Sequence, residues 1–145
     1  MWNVFRRIFR PRASAGKSGP RGRVLVIEDD LTTCKLIESV LSRRGHEVHV
    51  ANDGTSGLEA ARTQKPDIIF LDCLMPGISG VEAGKMLKDD PATEKIPIIV
   101  LTAVDTPKNI IDCYEFGADN YLVKPVSSRE LLRLVETTLK DYELA

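Results

Sequence analysis

The hydrophobic residues of this chain fall in short blocks whose period switches repeatedly between that of a strand and that of a helix. RVLVI at 23–27 is an apolar, β-branched run of the length of a buried strand. Leu31, Cys34, Ile37, Val40 and Leu41 then recur at helical spacing until Gly45 stops the helix. HEVHVA (46–51) alternates and predicts a second strand, and Leu58 and Ala61 mark a second helix entered near Asn52 and ended before Pro66. DIIFL (67–71) is another buried strand, and a Pro- and Gly-rich loop at Met75–Gly80 leads into a helix around Val81–Lys88. IPIIVL (96–101) is the fourth strand, with Pro97 placed where no ladder donor is lost. Pro107 suits the first turn of a helix carrying Ile110, Ile111 and Tyr114 and closed by Gly117. NYLV (120–123) is the fifth strand. Ser127 and Glu130 then stand at capping-box spacing ahead of Leu131, Leu134, Val135, Leu139 and Tyr142 on one helical face.

Five strands alternating with five helices through short connections predict parallel βαβ units, with helices on both faces of one sheet. The expected fold is a doubly wound α/β domain of roughly 120 residues, large enough to bury its own core. The full 145 residues leave little for a second domain. With 43% hydrophobic and 28% charged residues, the composition is that of a soluble globular protein. No apolar run approaches the roughly 18 residues a membrane span needs, which excludes an integral membrane protein.

Charge changes this picture at one end only. The formal net charge is -1, yet residues 1–23 hold seven Arg and Lys and no acid, which leaves the remainder at -8. Residues 1–22 therefore form a basic tail and linker joined to an acidic domain at 23–145. Within the tail, Trp2, Phe5, Ile8 and Phe9 interleave with arginines at roughly helical spacing, a pattern suited to an anionic membrane or an acidic partner through residues 1–12. The alternative is an unstructured, solvated segment, because ten residues seldom sustain a helix in water. Cys34, Cys73 and Cys113 are too few and too widely spaced for a disulfide framework or a CxxC metal site, which points to a reducing, cytoplasmic compartment.

In an open parallel sheet, ligands collect beyond the carboxyl ends of the strands. Strand one runs into Glu28, Asp29 and Asp30, strand three into Asp72, strand four into Thr102, and strand five into Lys124 and Pro125. Glu28, Asp29 and Asp72 crowded in one cleft would repel one another and need a cation. Oxygen-only ligands select a hard ion, Mg2+ before Ca2+. Thr102 could hydrogen-bond a phosphoryl oxygen and the Lys124 ammonium could neutralise another. Neither GxxxxGK[ST] nor GxGxxG occurs, so a nucleotide-consuming enzyme is disfavoured. His46 and His49 stand three apart on a predicted strand, so their side chains face opposite ways and make no metal site. Asp30 and Asp53 are expected to be solvated turn residues, and the three cysteines structural.

VLVIEDD (24–30), FLDCLMPGISG (70–80), VLTA (100–103) and YLVKP (121–125) occur in order and resemble the signatures of response-regulator receiver domains of two-component systems. The resemblance implies a flavodoxin-like (βα)5 fold with strand order 2-1-3-4-5. It implies Asp72 as phosphoacceptor, and Glu28, Asp29, Asp72 and the Leu74 backbone carbonyl as Mg2+ ligands. Thr102 would be the switch hydroxyl, Tyr121 the switch aromatic and Lys124 the phosphate-sensing amine, followed by a cis bond to Pro125. The implied function is a stand-alone switch rather than an enzyme: a histidine kinase or phosphotransfer protein phosphorylates Asp72, altering the helix 4–strand 5–helix 5 surface for a downstream protein.

Alternatives are a phosphorelay intermediate, a phosphorylation-independent scaffold, or a receiver cut from a larger regulator. No DNA-binding segment follows the fifth helix, and the surface of helices four and five is a candidate homodimer patch by the same resemblance. Leu74 and Val104, two residues beyond Asp72 and Thr102, place apolar side chains beside the path of an attacking water and predict a long-lived phosphoryl group.

Overall fold

The structure is a computed structural model describing residues 21–75, 77–103 and 107–144. Residues 1–20 of the predicted tail, Val104 and the Tyr142 side chain lie outside what it describes. The strands are β1 (Arg23–Ile27), β2 (Glu47–Ala51), β3 (Ile68–Asp72), β4 (Ile98–Thr102) and β5 (Asn120–Val123). The helices are α1 (Leu31–Arg43), α2 (Gly54–Gln64), α3 (Gly80–Asp89), α4 (Pro107–Phe116) and α5 (Ser128–Leu144). All strand pairs are parallel, in the order β2-β1-β3-β4-β5. Both the doubly wound architecture and the strand order agree with expectation.

Alternation along the strands divides the core. Leu25, Ile27, Ile69, Leu71, Ile98 and Val100 face one layer, where Leu58, Ala61, Ala83, Leu87, Cys113 and Phe116 of α2, α3 and α4 cover them. Val24, Val26, Ile68, Phe70, Ile99, Leu101 and Leu122 face the other, under Cys34, Ile37 and Leu41 of α1 and Leu131, Leu134, Val135 and Leu139 of α5. Every residue of the interior strands β3 and β4 is buried, as a sheet covered on both faces requires. Each such Leu, Ile or Phe contributes about 1.5–3 kcal/mol by leaving water.

Local chemistry sets the helix ends. Asp30 caps α1 by accepting from the Thr32 and Thr33 amides and from the Thr33 hydroxyl at 2.5 Å. Asp53 caps α2 by accepting from the Ser56 amide at 2.8 Å. Both aspartates, expected as plain turn residues, therefore satisfy orphan donors at helix starts. Gly45, at φ 86°, supplies the left-handed turn that ends α1.

One expectation needs correction. His46 precedes β2 rather than lying on it, and its buried Nδ1 accepts from the Gly22 amide at 3.0 Å. On α4, Cys113 is buried, as its place on an apolar helical face predicts, together with Phe116, while Ile111 and Tyr114 are 55% and 46% exposed. A ten-residue helix over a sheet buries only one stripe, and apolar residues on both stripes left the choice open in the sequence.

Candidate functional site

The register of the sheet assembles the site. Ile27 lies level with Leu71, so Glu28 and Asp72 emerge side by side from β1 and β3. Asp72 lies level with Leu101, and Thr102 with Val123, so Thr102 and Lys124 follow on the same rim. Carboxylate oxygens of Glu28, Asp29 and Asp72 all lie within 4.8 Å of one another. Glu28, Asp72 and Thr102 are buried at 0%, 3% and 2% exposure, whereas Asp29 is open to solvent.

Lys124 reaches into this cluster. Its ammonium pairs closely with Glu28 Oε1 and stands 3.4 Å from Asp72 Oδ1. The peptide bond from Lys124 to Pro125 is cis, as expected, and the Lys124 amide donates to the Thr102 carbonyl at 2.8 Å. Backbone amides complete the carboxylate contacts: Leu74 N donates to Asp72 Oδ1 and Asp30 N to Glu28 Oε2, each at 3.2 Å.

The electrostatics reflect three acids against one amine. Burial, reinforced by Asp72, pushes the Glu28 carboxyl up from 4.5 to about 7 although Lys124 pulls it down. Burial alone would lower the Lys124 ammonium, but Glu28 and Asp72 outweigh it and hold it above its ordinary range. The cluster is thus short of positive charge. Oxygens only, gathered within one coordination sphere and with Glu28 Oε1 accepting no well-directed hydrogen bond, form a donor set that fits a small hard divalent cation.

Behind the rim, Gly80 at the start of α3 packs against the carboxyl end of β3. A Cβ there would come within 2.2 Å of the Asp72 carbonyl oxygen and 2.7 Å of Cys73 Cα, so only glycine permits this approach.

All the predicted polar site residues meet at this rim, while Leu74 presents a side chain 62% exposed beside it. Tyr121 is half-buried and packs edge-on against Tyr114, ring centroids 6.4 Å apart, beside a cleft that Thr102 also lines. Two supporting residues were not singled out for the site in the sequence, although Asn52 directly follows the carboxyl end of β2. Asn52 Nδ2 and Cys34 Sγ both donate to the Glu28 carbonyl, at 3.1 and 3.3 Å, and so anchor the backbone that carries the acids. Residues that act through a neighbour's backbone leave no motif.

Comparison with known proteins agrees with this geometry. PilH of Pseudomonas aeruginosa is 34% identical over 117 residues, covering 81% of this chain and 97% of PilH. The alkaline phosphatase synthesis transcriptional regulatory protein PhoP of Bacillus subtilis is 37% identical over 123 residues, 85% of this chain, which spans only 50% of PhoP. Among solved structures, the receiver domain of the sensor histidine kinase PA1611 from Pseudomonas aeruginosa superposes with a TM-score of 0.76 at 28% identity, covering 85% of this chain and 99% of that one. That structure has a magnesium ion coordinated in its active-site cleft. Residues 24–136 match the family described as response regulator receiver domain, and with these relatives the match shows that the chain belongs to the receiver-domain family of two-component response regulators.

Proposed function

We propose that the chain is a phosphorylation-dependent signalling switch in which Asp72 takes a phosphoryl group from a histidine kinase or a phosphotransfer protein. The observation that carries this reading is the convergence of Glu28, Asp29 and Asp72 within 4.8 Å, with Lys124 reaching Glu28 and Asp72. Glu28, Asp29, Asp72 and the Leu74 carbonyl would hold Mg2+, which when bound offsets negative charge on the transferring phosphoryl oxygens.

The chain's own residues supply the rest. Asp72 is the nucleophile: its carboxylate oxygen forms the new bond to phosphorus as the phosphorus–nitrogen bond of the donor phosphohistidine breaks, the electron pair returning to the imidazole. Lys124, already 3.4 Å from Asp72, neutralises an oxygen of the arriving group with little rearrangement. Thr102 on the adjacent strand end donates its hydroxyl to another. The added charge draws Thr102 and Lys124 inward, Tyr121 follows into the cleft beside Thr102, and the exposed surface of α4, β5 and α5 changes for a protein partner. A useful switch requires this bias to reach a few kcal/mol.

Incubation with acetyl phosphate and Mg2+ tests the reading. Wild type should give one retarded band on a Phos-tag gel, and Asp72→Ala none. An equal band in the variant would assign the chemistry elsewhere, and no band in the wild type would favour a phosphorylation-independent scaffold.

A further inference from the structure

A second chemically competent pair lies just behind the acidic rim. Cys73 follows Asp72 directly, Cys113 lies on α4, and their sulfurs stand 3.7 Å apart. Both are 4% exposed, and neither is bonded to another cysteine. Together with Thr102, Tyr114 and Tyr121 they line a narrow apolar cleft beneath α4 that is partly open to solvent. Cys34 is a built-in control: it is equally buried but packs on the opposite face of the sheet, with its sulfur on the Glu28 carbonyl.

Two aliphatic side chains would fill the Cys73–Cys113 contact equally well. What two touching sulfurs add is the capacity to join. We propose that Cys73 and Cys113 are an oxidation site, closed by a hydroperoxide into an intramolecular disulfide that staples the acceptor end of β3 to α4. One thiol attacks a peroxide oxygen; a sulfur–oxygen bond forms, the oxygen–oxygen bond breaks, and a water leaves a sulfenic acid behind. The second thiol then displaces that oxygen as another water, forming the sulfur–sulfur bond. The pair loses two protons and two electrons, and hydrogen peroxide takes up both to become two waters.

The surroundings select the oxidant and order the steps. Sulfurs this deeply buried exclude a bulky disulfide reagent, so the oxidant must be small, and hydrogen peroxide is the smallest hydroperoxide. Burial pushes the Cys113 thiol up to about 12, so the first attack is slow at neutral pH. The second step is unimolecular between groups already in contact and therefore fast, so the sulfenic acid does not accumulate. Closure ties together residues 40 apart in sequence, which restricts the unfolded chain and holds α4 to the sheet. If α4 belongs to the surface that phosphorylation alters, a consequence that rests on the function proposed above, the stapled form accepts phosphate at Asp72 with a muted surface response. The disulfide itself does not depend on that function.

The test uses the full chain, reduced and then exposed to hydrogen peroxide, with thiols counted by DTNB after denaturation. The count should fall from three to one and return to three with dithiothreitol. Non-reducing peptide mapping should join the Cys73 and Cys113 peptides, and the oxidised form should show a higher urea midpoint. Cys34→Ala should still close, and Cys113→Ser should not. Should Cys113→Ser fail to fold, the wild-type peptide map and the reversal by dithiothreitol decide alone. Three persistent thiols, a link through Cys34, covalent dimers only, or losses that dithiothreitol does not reverse would each overturn the proposal.

Discussion

Glu28 is the place where the charge imbalance of the rim can be weighed. Its carboxyl is fully buried, and its proton affinity rises from an ordinary 4.5 to about 7. At roughly 1.4 kcal/mol per pH unit, ionised Glu28 costs the metal-free fold about 3 kcal/mol. The sign follows from proton binding: between pH 4.5 and about 7 the native state holds more protons than the unfolded chain, so stability falls as pH rises through this window. Glu28→Gln removes the ionisation and keeps the shape. Its amide oxygen can still accept from Asp30 N, but the NH2 then faces the Lys124 ammonium, which must withdraw from position 28 toward Asp72, 3.4 Å away. The new buried NH2 group costs about 1 kcal/mol. In EDTA at pH 8 the variant should therefore be more stable than wild type by about 2 kcal/mol, or about 1 M in urea midpoint. The advantage should shrink on acidification and vanish near pH 5. Carboxyls held below their ordinary range, such as Asp30 by the Thr33 hydroxyl, are common to both proteins and cancel in the difference. Saturating Mg2+ at pH 8 should raise the wild-type midpoint and leave the variant's nearly unchanged. A variant less stable than wild type by the same margin at pH 5 and pH 8 would refute the idea that buried charge, rather than packing, dominates at this position.

Lys124→Met should lower the acetyl phosphate labelling rate at least tenfold and destabilise the metal-free protein by about 3 kcal/mol at pH 8, because it leaves two buried carboxylates without a counter-charge; an unchanged urea midpoint would contradict this. Gly80→Ala should cost about 1–3 kcal/mol and reduce labelling, since the added methyl meets backbone at 2.2 Å and must displace the end of β3; a melting temperature equal to wild type would show that the turn yields easily. The phosphoryl group should persist for minutes or longer after removal of the donor, and Leu74→Asn should shorten its lifetime by admitting water beside Asp72. Loss of label from wild type within seconds, followed by quench and intact mass, would contradict that reading.

Much of this architecture was legible in the sequence because strands buried on both faces read as unbroken apolar runs. DIIFL and IPIIVL led to β3 and β4 with boundaries shifted by one or two residues. The rim residues were legible because each stands at the carboxyl end of a strand, where a parallel sheet gathers what its strands present. Less could be read where short segments offer two equivalent choices. On α4 the burial of Cys113 could be read, but the exposure of Ile111 and Tyr114 could not, because only packing against the sheet decides which apolar residues are covered. The edge strand β2 looked like a clean alternation, yet Glu47 is exposed, Val48 and His49 are half-buried and Val50 is 36% exposed, because an edge is covered incompletely. The contact of Cys73 with Cys113 joins positions 40 apart on different elements, and no local pattern announces such a meeting.

The central claim, that Asp72 receives the phosphoryl group, is tested most directly by trapping the acyl phosphate. Protein treated with acetyl phosphate and Mg2+ and then reduced with borohydride should carry homoserine at position 72 and at no other aspartate when its peptides are sequenced by mass spectrometry. Homoserine at position 29 or 30 instead, or an unmodified position 72 in protein that has demonstrably taken up phosphate, would contradict it.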